Sequence, residues 1–145
     1  MTLDLSPLAN AISRLEGSLR FCESDMARQN PAIAEQFHAA AIQAFEFTYE
    51  LCHKMLKRFL KLTVADPSAI EEMSFPDIIR TGNEKGLLRS PWSSWRNYRA
   101  ARGMTSHTYD EKKADEVFPL IPDFLEEARA LLRRLDAASK TDDPS

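Results

Sequence analysis

Apolar residues return at three- and four-residue steps in long stretches of the chain, a spacing that predicts helices with one buried face. In the first stretch the stripe is Leu5, Leu8, Ile12, Leu15, Leu19 and Cys22. Asp4 or Ser6 is suited to cap this helix, and Pro7 falls in its first turn, where a missing amide is tolerated. A longer helix is expected from about Pro31 to Lys61, with Phe37, Ala41, Ala44/Phe45, Thr48, Leu51/Cys52, Met55 and Phe59 on its apolar side. Its opposite side carries Gln43, Glu46, Glu50, Lys54 and Arg58, with Glu50 and Lys54 in the favourable i,i+4 order.

Asp66 and Pro67 end that region, and a third helix is expected from Pro76 to about Glu84 with Ser74 as its cap. The segment GLLRSP turns the chain before a fourth helix, Trp92 to about Arg102, for which Gly103 is the expected terminator. Thr108 to Glu111 fits a capping box, so another helix should start beside His107. Its stripe runs through Val117, Leu120/Ile121, Phe124/Leu125, Ala128, Leu131/Leu132 and Leu135, and Pro119 and Pro122 should bend or split it. No strand-like alternation bounded by hairpin turns appears. The expectation is an all-α fold, an antiparallel bundle of four principal helices with additional short helices. It should form a single domain over residues 1–138, followed by a flexible C-terminal tail over 139–145.

Composition narrows the functional classes. With 145 residues, 43% of them hydrophobic, the chain suits one globular core that buries about two-thirds of the unfolded surface. The N-terminus lacks the basic start and apolar run of a signal peptide, and no stretch approaches the roughly 18 apolar residues of a membrane span. Cys22 and Cys52 show no CxxC spacing, and a reducing cytoplasm is the expected compartment. His38, His53 and His107 lack the paired short spacings of zinc ligands, so neither a metal nor another cofactor is expected. Cys52 reads as a core residue and His53 as a partly exposed one. The cluster FEFTYE, Phe45 to Glu50, reads as core or subunit contact before base-stacking surface; Phe47 and Tyr49, off the stripe, point to a second helix or a dimer surface.

The net charge of −3 hides an asymmetry. Arg80 to Lys113 holds eight basic and three acidic residues, a surplus of five positive charges that offers a phosphate-bearing partner one place to dock. Within it Arg96, Arg99 and Arg102 fall three apart on one helix face. Guanidinium groups contact phosphate oxygens bidentately, and His107 can titrate near neutrality and take a proton from a ribose 2'-hydroxyl. On spacing alone, Arg-x4-His favours a solvated basic face followed by a capping segment, because two common residue types at one spacing are a weak signal.

The chain resembles the nucleotidyltransferase substrate-binding protein family, the HepT-like branch of the HEPN superfamily. FEFTYELCHKMLKRFL (Phe45 to Leu60) is similar to that family's signature second helix, FPDIIRTGNEKGLL (Phe75 to Leu88) to its middle segment, and RGMTSHTYDE (Arg102 to Glu111) to its Arg-x4-His-x-Tyr element, with Trp95 at the expected distance before it. Two positions depart from the pattern: Gly103 stands where a polar residue is usual, and His53 where tryptophan is common. The resemblance implies a helical partner of a minimal nucleotidyltransferase in a toxin-antitoxin type pair. It further implies a metal-independent ribonuclease acting on RNA, usually as a homodimer, with Arg102 and His107 catalytic. Tyr109 would accept AMP from the partner, and Arg96, Arg99 and Lys112 would bind RNA phosphate. The alternative it carries is a non-catalytic subunit that presents substrate to the nucleotidyltransferase.

Overall fold

The first helix, α1 (Ser6–Cys22), begins with Pro7 in its first turn, and Asp4 Oδ1 accepts a hydrogen bond from the Ser6 amide at 3.0 Å. In the computed structural model, which describes residues 3–105 and 111–141, every regular element is helical. A short α2 (Asp25–Gln29), capped by the Ser24 hydroxyl, leads into α3 (Pro31–Thr63), capped by Asn30. A second short helix, α4 (Pro67–Glu71), is capped by the Asp66 carboxylate, and α5 (Phe75–Glu84) by the Ser74 hydroxyl. After α6 (Trp92–Met104) come α7 (Glu111–Val117), a 3-10 turn at Phe118–Leu120 and α8 (Ile121–Thr141).

Contacts between elements fix their directions. Thr48 on α3 donates to the Ala11 carbonyl of α1, and Phe21 meets Phe37 with ring centroids 5.4 Å apart, so α1 and α3 are antiparallel. Trp95 of α6 packs on Tyr49, while Arg102 at the other end reaches Glu46, which makes α6 antiparallel to α3 as well. On α8, Phe124 meets Phe45 at 4.9 Å edge to face, and Asp123 meets Tyr98 of α6. The four principal helices α1, α3, α6 and α8 thus form the expected antiparallel bundle around Leu8, Leu15, Ile42, Phe45, Met55, Trp95, Phe124 and Leu131.

Several expectations meet the structure differently. Gly103 does not terminate α6, which continues to Met104 in right-handed backbone. The glycine that closes a helix is Gly86, with φ of 73°. Its amide donates to the Asn83 carbonyl and the Leu87 amide to the Gly82 carbonyl, the paired bonds that finish a helix through a left-handed residue. Gly86 therefore turns the chain toward α6. Tyr49 is buried at 5% exposure against Phe75, Trp95 and Phe124, the second-helix outcome, whereas Phe47 is 57% exposed. Pro119 and Pro122 do split the last helical region, through the 3-10 turn.

An ionic tie joins the α5–α6 loop and α6 to α8. Arg89 Nε donates to the fully buried Glu127, Arg89 Nη2 donates to Asp123 at 2.9 Å, and the buried Tyr98 hydroxyl donates to the other oxygen of Asp123. Arg134 adds a 2.6 Å bond to the Leu88 carbonyl. The hydroxyl of Tyr98, followed by the guanidinium of Arg89, holds the Asp123 carboxyl below its ordinary range. A depressed carboxyl contributes stability that is present above its unfolded value of 3.8 and lost as pH falls through the folded one. Replacing Tyr98 with Phe should cost about 1 kcal/mol near pH 7, less than a buried hydrogen bond to a charged group because the Asp123 side chain is 58% exposed and screened by water. Urea unfolding of the two proteins should show this gap narrowing as the pH drops below 3.8.

Candidate functional site

The arginine row belongs to α6, and each member meets a different environment. Trp95 fixes the rotation of the helix: it is 1% exposed and packs edge to face on Tyr98 and Phe124. Arg102 lies seven residues further on, nearly two whole turns, and so returns to the side of α6 that faces α3. There its Nε donates to Glu50 Oε1 at 2.9 Å and its Nη2 lies 3.3 Å from Glu46 Oε1. Nη1 reaches the Thr105 hydroxyl at 3.2 Å, and that hydroxyl donates to the Arg102 carbonyl at 2.7 Å. The last bond satisfies a carbonyl at the helix end, and Thr105 is itself buried.

Arg99 and Arg96 are exposed. The Arg99 guanidinium lies 5.5 Å from the centre of the Phe75 ring, a cation over an aromatic face, and the same ring receives the edge of His53 at 4.6 Å. Burial, and then the positive charges of Lys57 and Arg99, lower the affinity of His53 for a proton, with Glu50 opposing. Beside Glu50 a hollow of about 380 Å³ is lined by Phe47, Leu51, His53, Lys54 and Lys57. Burial raises the Tyr49 hydroxyl to about 12 and pushes the Cys52 thiol upward too, so both groups are neutral core members.

The structure brings Arg102 and Arg99 to the face between α6 and α3. His107 and Tyr109 lie outside the described residues, as does Thr108 of the expected capping box. Lys112 is the second residue of α7. Gly103 is exposed, and among the described residues no atom lies within 4 Å of the position a side chain's Cβ would take there. Among the described residues, no cluster of three or more histidine, cysteine or carboxylate side chains can hold a metal ion, and no helix is long and apolar enough to cross a membrane.

Sequence reasoning missed Glu46 and Glu50. Glu50 stood in the pattern as a surface partner of Lys54, whereas the structure directs it across to α6. The basic surplus is also smaller in space than in sequence. Arg80 is paired with Asp77, Arg89 with Asp123 and Glu127, and Arg102 with two glutamates of α3.

Residues 3–137 match the family model described as nucleotidyltransferase substrate binding protein like. The chain belongs to this family. The nucleotidyltransferase substrate-binding relatives include a Haemophilus influenzae protein named as a probable ribonuclease HepT, 37% identical over 142 residues that make up 97% of each chain. A solved Haemophilus influenzae structure, described as the substrate binding domain of a nucleotidyltransferase, superposes with a TM-score of 0.86. It covers 92% of this chain and 99% of its own, again at 37% identity.

For this member of the nucleotidyltransferase substrate-binding family, the Arg102 ion pairs are half-exposed, and such pairs contribute little to stability. Arg102→Ala should therefore unfold within roughly 1 kcal/mol of wild type in a urea titration. That outcome makes it a folded reference for functional assays.

Proposed function

We propose that the chain is the helical partner of a minimal nucleotidyltransferase in a toxin-antitoxin type pair, and that it is a metal-independent endoribonuclease working as a homodimer. The observation that carries this reading is Arg102, held at the end of α6 with three of its nitrogens engaged, five residues before His107 in a family that includes a protein named as a ribonuclease. In this reading His107 takes the proton of a ribose 2'-hydroxyl, and the 2'-oxygen attacks the adjacent phosphorus as the bond to the 5'-oxygen breaks. Arg102 stabilises the negative charge that gathers on the phosphoryl oxygens. Arg96, Arg99 and Lys112 bind neighbouring phosphates along the strand.

Support for a dimer comes from Phe47. It is 57% exposed on the outer face of α3, borders the same hollow as Glu50, and also lines the groove between α1 and α3 beside the exposed Phe21. A second copy seated there would bring two arginine rows near one another and shelter both rings from water.

Tyr109 is the proposed acceptor of AMP from the partner enzyme. The added group is bulky, carries a phosphate and would sit two residues from His107, where it competes with RNA for the same cations. A second reading, a non-catalytic subunit that presents substrate to the nucleotidyltransferase, is favoured by two observations. The Arg102 guanidinium already faces two carboxylates, and the adjacent Gly103 offers no polar side chain.

Purified protein incubated with labelled RNA in EDTA separates the two. Cleavage by wild type that falls by at least about 100-fold in Arg102→Ala and in His107→Ala supports the ribonuclease, on the scale that loss of one charge-stabilising donor or one acid-base group produces. Equal cleavage by all three overturns the assigned roles, and no cleavage by wild type lacking AMP favours the substrate-binding subunit. Separately, mass spectrometry after incubation with the cognate nucleotidyltransferase and ATP should find AMP on wild type and none on Tyr109→Phe.

A further inference from the structure

Glu46 and Glu50 lie one turn apart on α3, and both oxygens facing α6 belong to one task. Glu50 Oε1 takes the Nε–H of Arg102, and Glu46 Oε1 lies against Nη2, so the two carboxylates grip the same edge of the guanidinium. Thr105 holds Nη1 from the other side. A guanidinium has five N–H donors. Nε–H and one hydrogen of Nη1 are hydrogen-bonded, while Nη2 lies in ion-pair range of Glu46, so both terminal nitrogens keep donors for the two-point contact that a phosphate takes. Held on three sides, the side chain loses the rotamer freedom that an exposed arginine keeps.

We propose that Glu46 and Glu50 are positioning residues for Arg102, fixing its guanidinium so that its remaining donors meet a scissile phosphate without reorganisation. This deepens the ribonuclease reading and, for its kinetic consequence, rests on it. The arrangement has a specific electrostatic cost. Two carboxylates against one guanidinium leave the ionised cluster with one negative charge in excess, which opposes the approach of RNA. The exposed Arg99, one turn away on α6, and Arg96 before it supply the attraction that Arg102 itself does not. The division of labour is therefore binding by the outer arginines and aim by the acidic pair. A pair that served only to brace α6 on α3 would affect stability without separating kcat from KM. A pair that served to suppress activity would do the opposite and restrain the rate.

The experiment uses the full chain labelled with 15N and has two arms. In the first, the Arg102 Nε–Hε resonance, assigned by its loss in Arg102→Lys, should show a heteronuclear NOE as high as that of the helical backbone. In a Glu46→Ala/Glu50→Ala variant shown to be folded by circular dichroism, the value should fall to that of mobile arginine side chains. In the second arm, RNA cleavage by the same variant should lose about 100-fold in kcat, the scale of a misplaced catalytic group, while KM stays level or drops. Glu46→Gln/Glu50→Gln should recover part of the loss, because amide oxygens accept the same N–H bonds; if the double alanine variant does not fold, the single variants Glu46→Ala and Glu50→Ala take its place in both arms. An Arg102 resonance that stays rigid without the acidic pair overturns the proposal, as does cleavage that is unchanged or faster. If wild type cleaves no RNA, the ribonuclease reading fails by itself and the NOE arm alone decides whether the pair fixes Arg102.

Discussion

The packing of Trp95 against Tyr49 of α3 and Phe124 of α8 determines how α6 is rotated, and nearly everything at the candidate site follows from that rotation. A buried indole has one acceptable seat in a close-packed core. Once Trp95 is in it, Tyr98 is directed at Asp123 of α8 and Arg102 at α3, because these positions recur on adjoining strips of a 3.6-residue helix. The ionic tie through Arg89 holds the start of α6 to α8. The glutamates of α3 hold its far end.

Much of the fold was legible because periodicity reports burial directly. The stripes on α1, α3 and α8, the Ser74 cap and the proline split of the last region all follow from local chemistry. The errors came where two local rules compete. A glycine near the end of a helix reads as its terminator, yet at Gly103 the Thr105 hydroxyl satisfies the Arg102 carbonyl and the helix needs no left-handed residue. At Gly86 no such hydroxyl bond closes α5, and two backbone bonds around a positive φ perform the closure. Tyr49 falls outside the single apolar stripe yet is buried, because a helix packed on more than one side has a wider buried face than one stripe describes.

The candidate site was legible as a row of arginines but not as a cluster of an arginine with two glutamates. Glu50 and Arg102 are 52 residues apart, and no periodicity links a carboxylate on one helix to a guanidinium on another. The same limitation applies to charge. A basic surplus counted along the chain describes the surface only if the acids elsewhere stay elsewhere, and here α3 and α8 bring theirs to Arg102 and Arg89. Membership of the nucleotidyltransferase substrate-binding family rests on the whole length of the bundle, whereas any chemistry rests on a few residues at one helix end.

The heptad interval between Trp95 and Arg102 also bears on how this protein can change over evolutionary time. Adding or deleting one residue within it would turn the guanidinium about 100° around the helix axis, out of reach of both glutamates. Lengthening the loop from Gly86 to Pro91 need not turn one end of α6 relative to the other. Substitutions can accumulate at exposed positions of α6 other than the arginines, such as Ser93, Asn97 and Ala100, but indels between the tryptophan and the arginine should be purged.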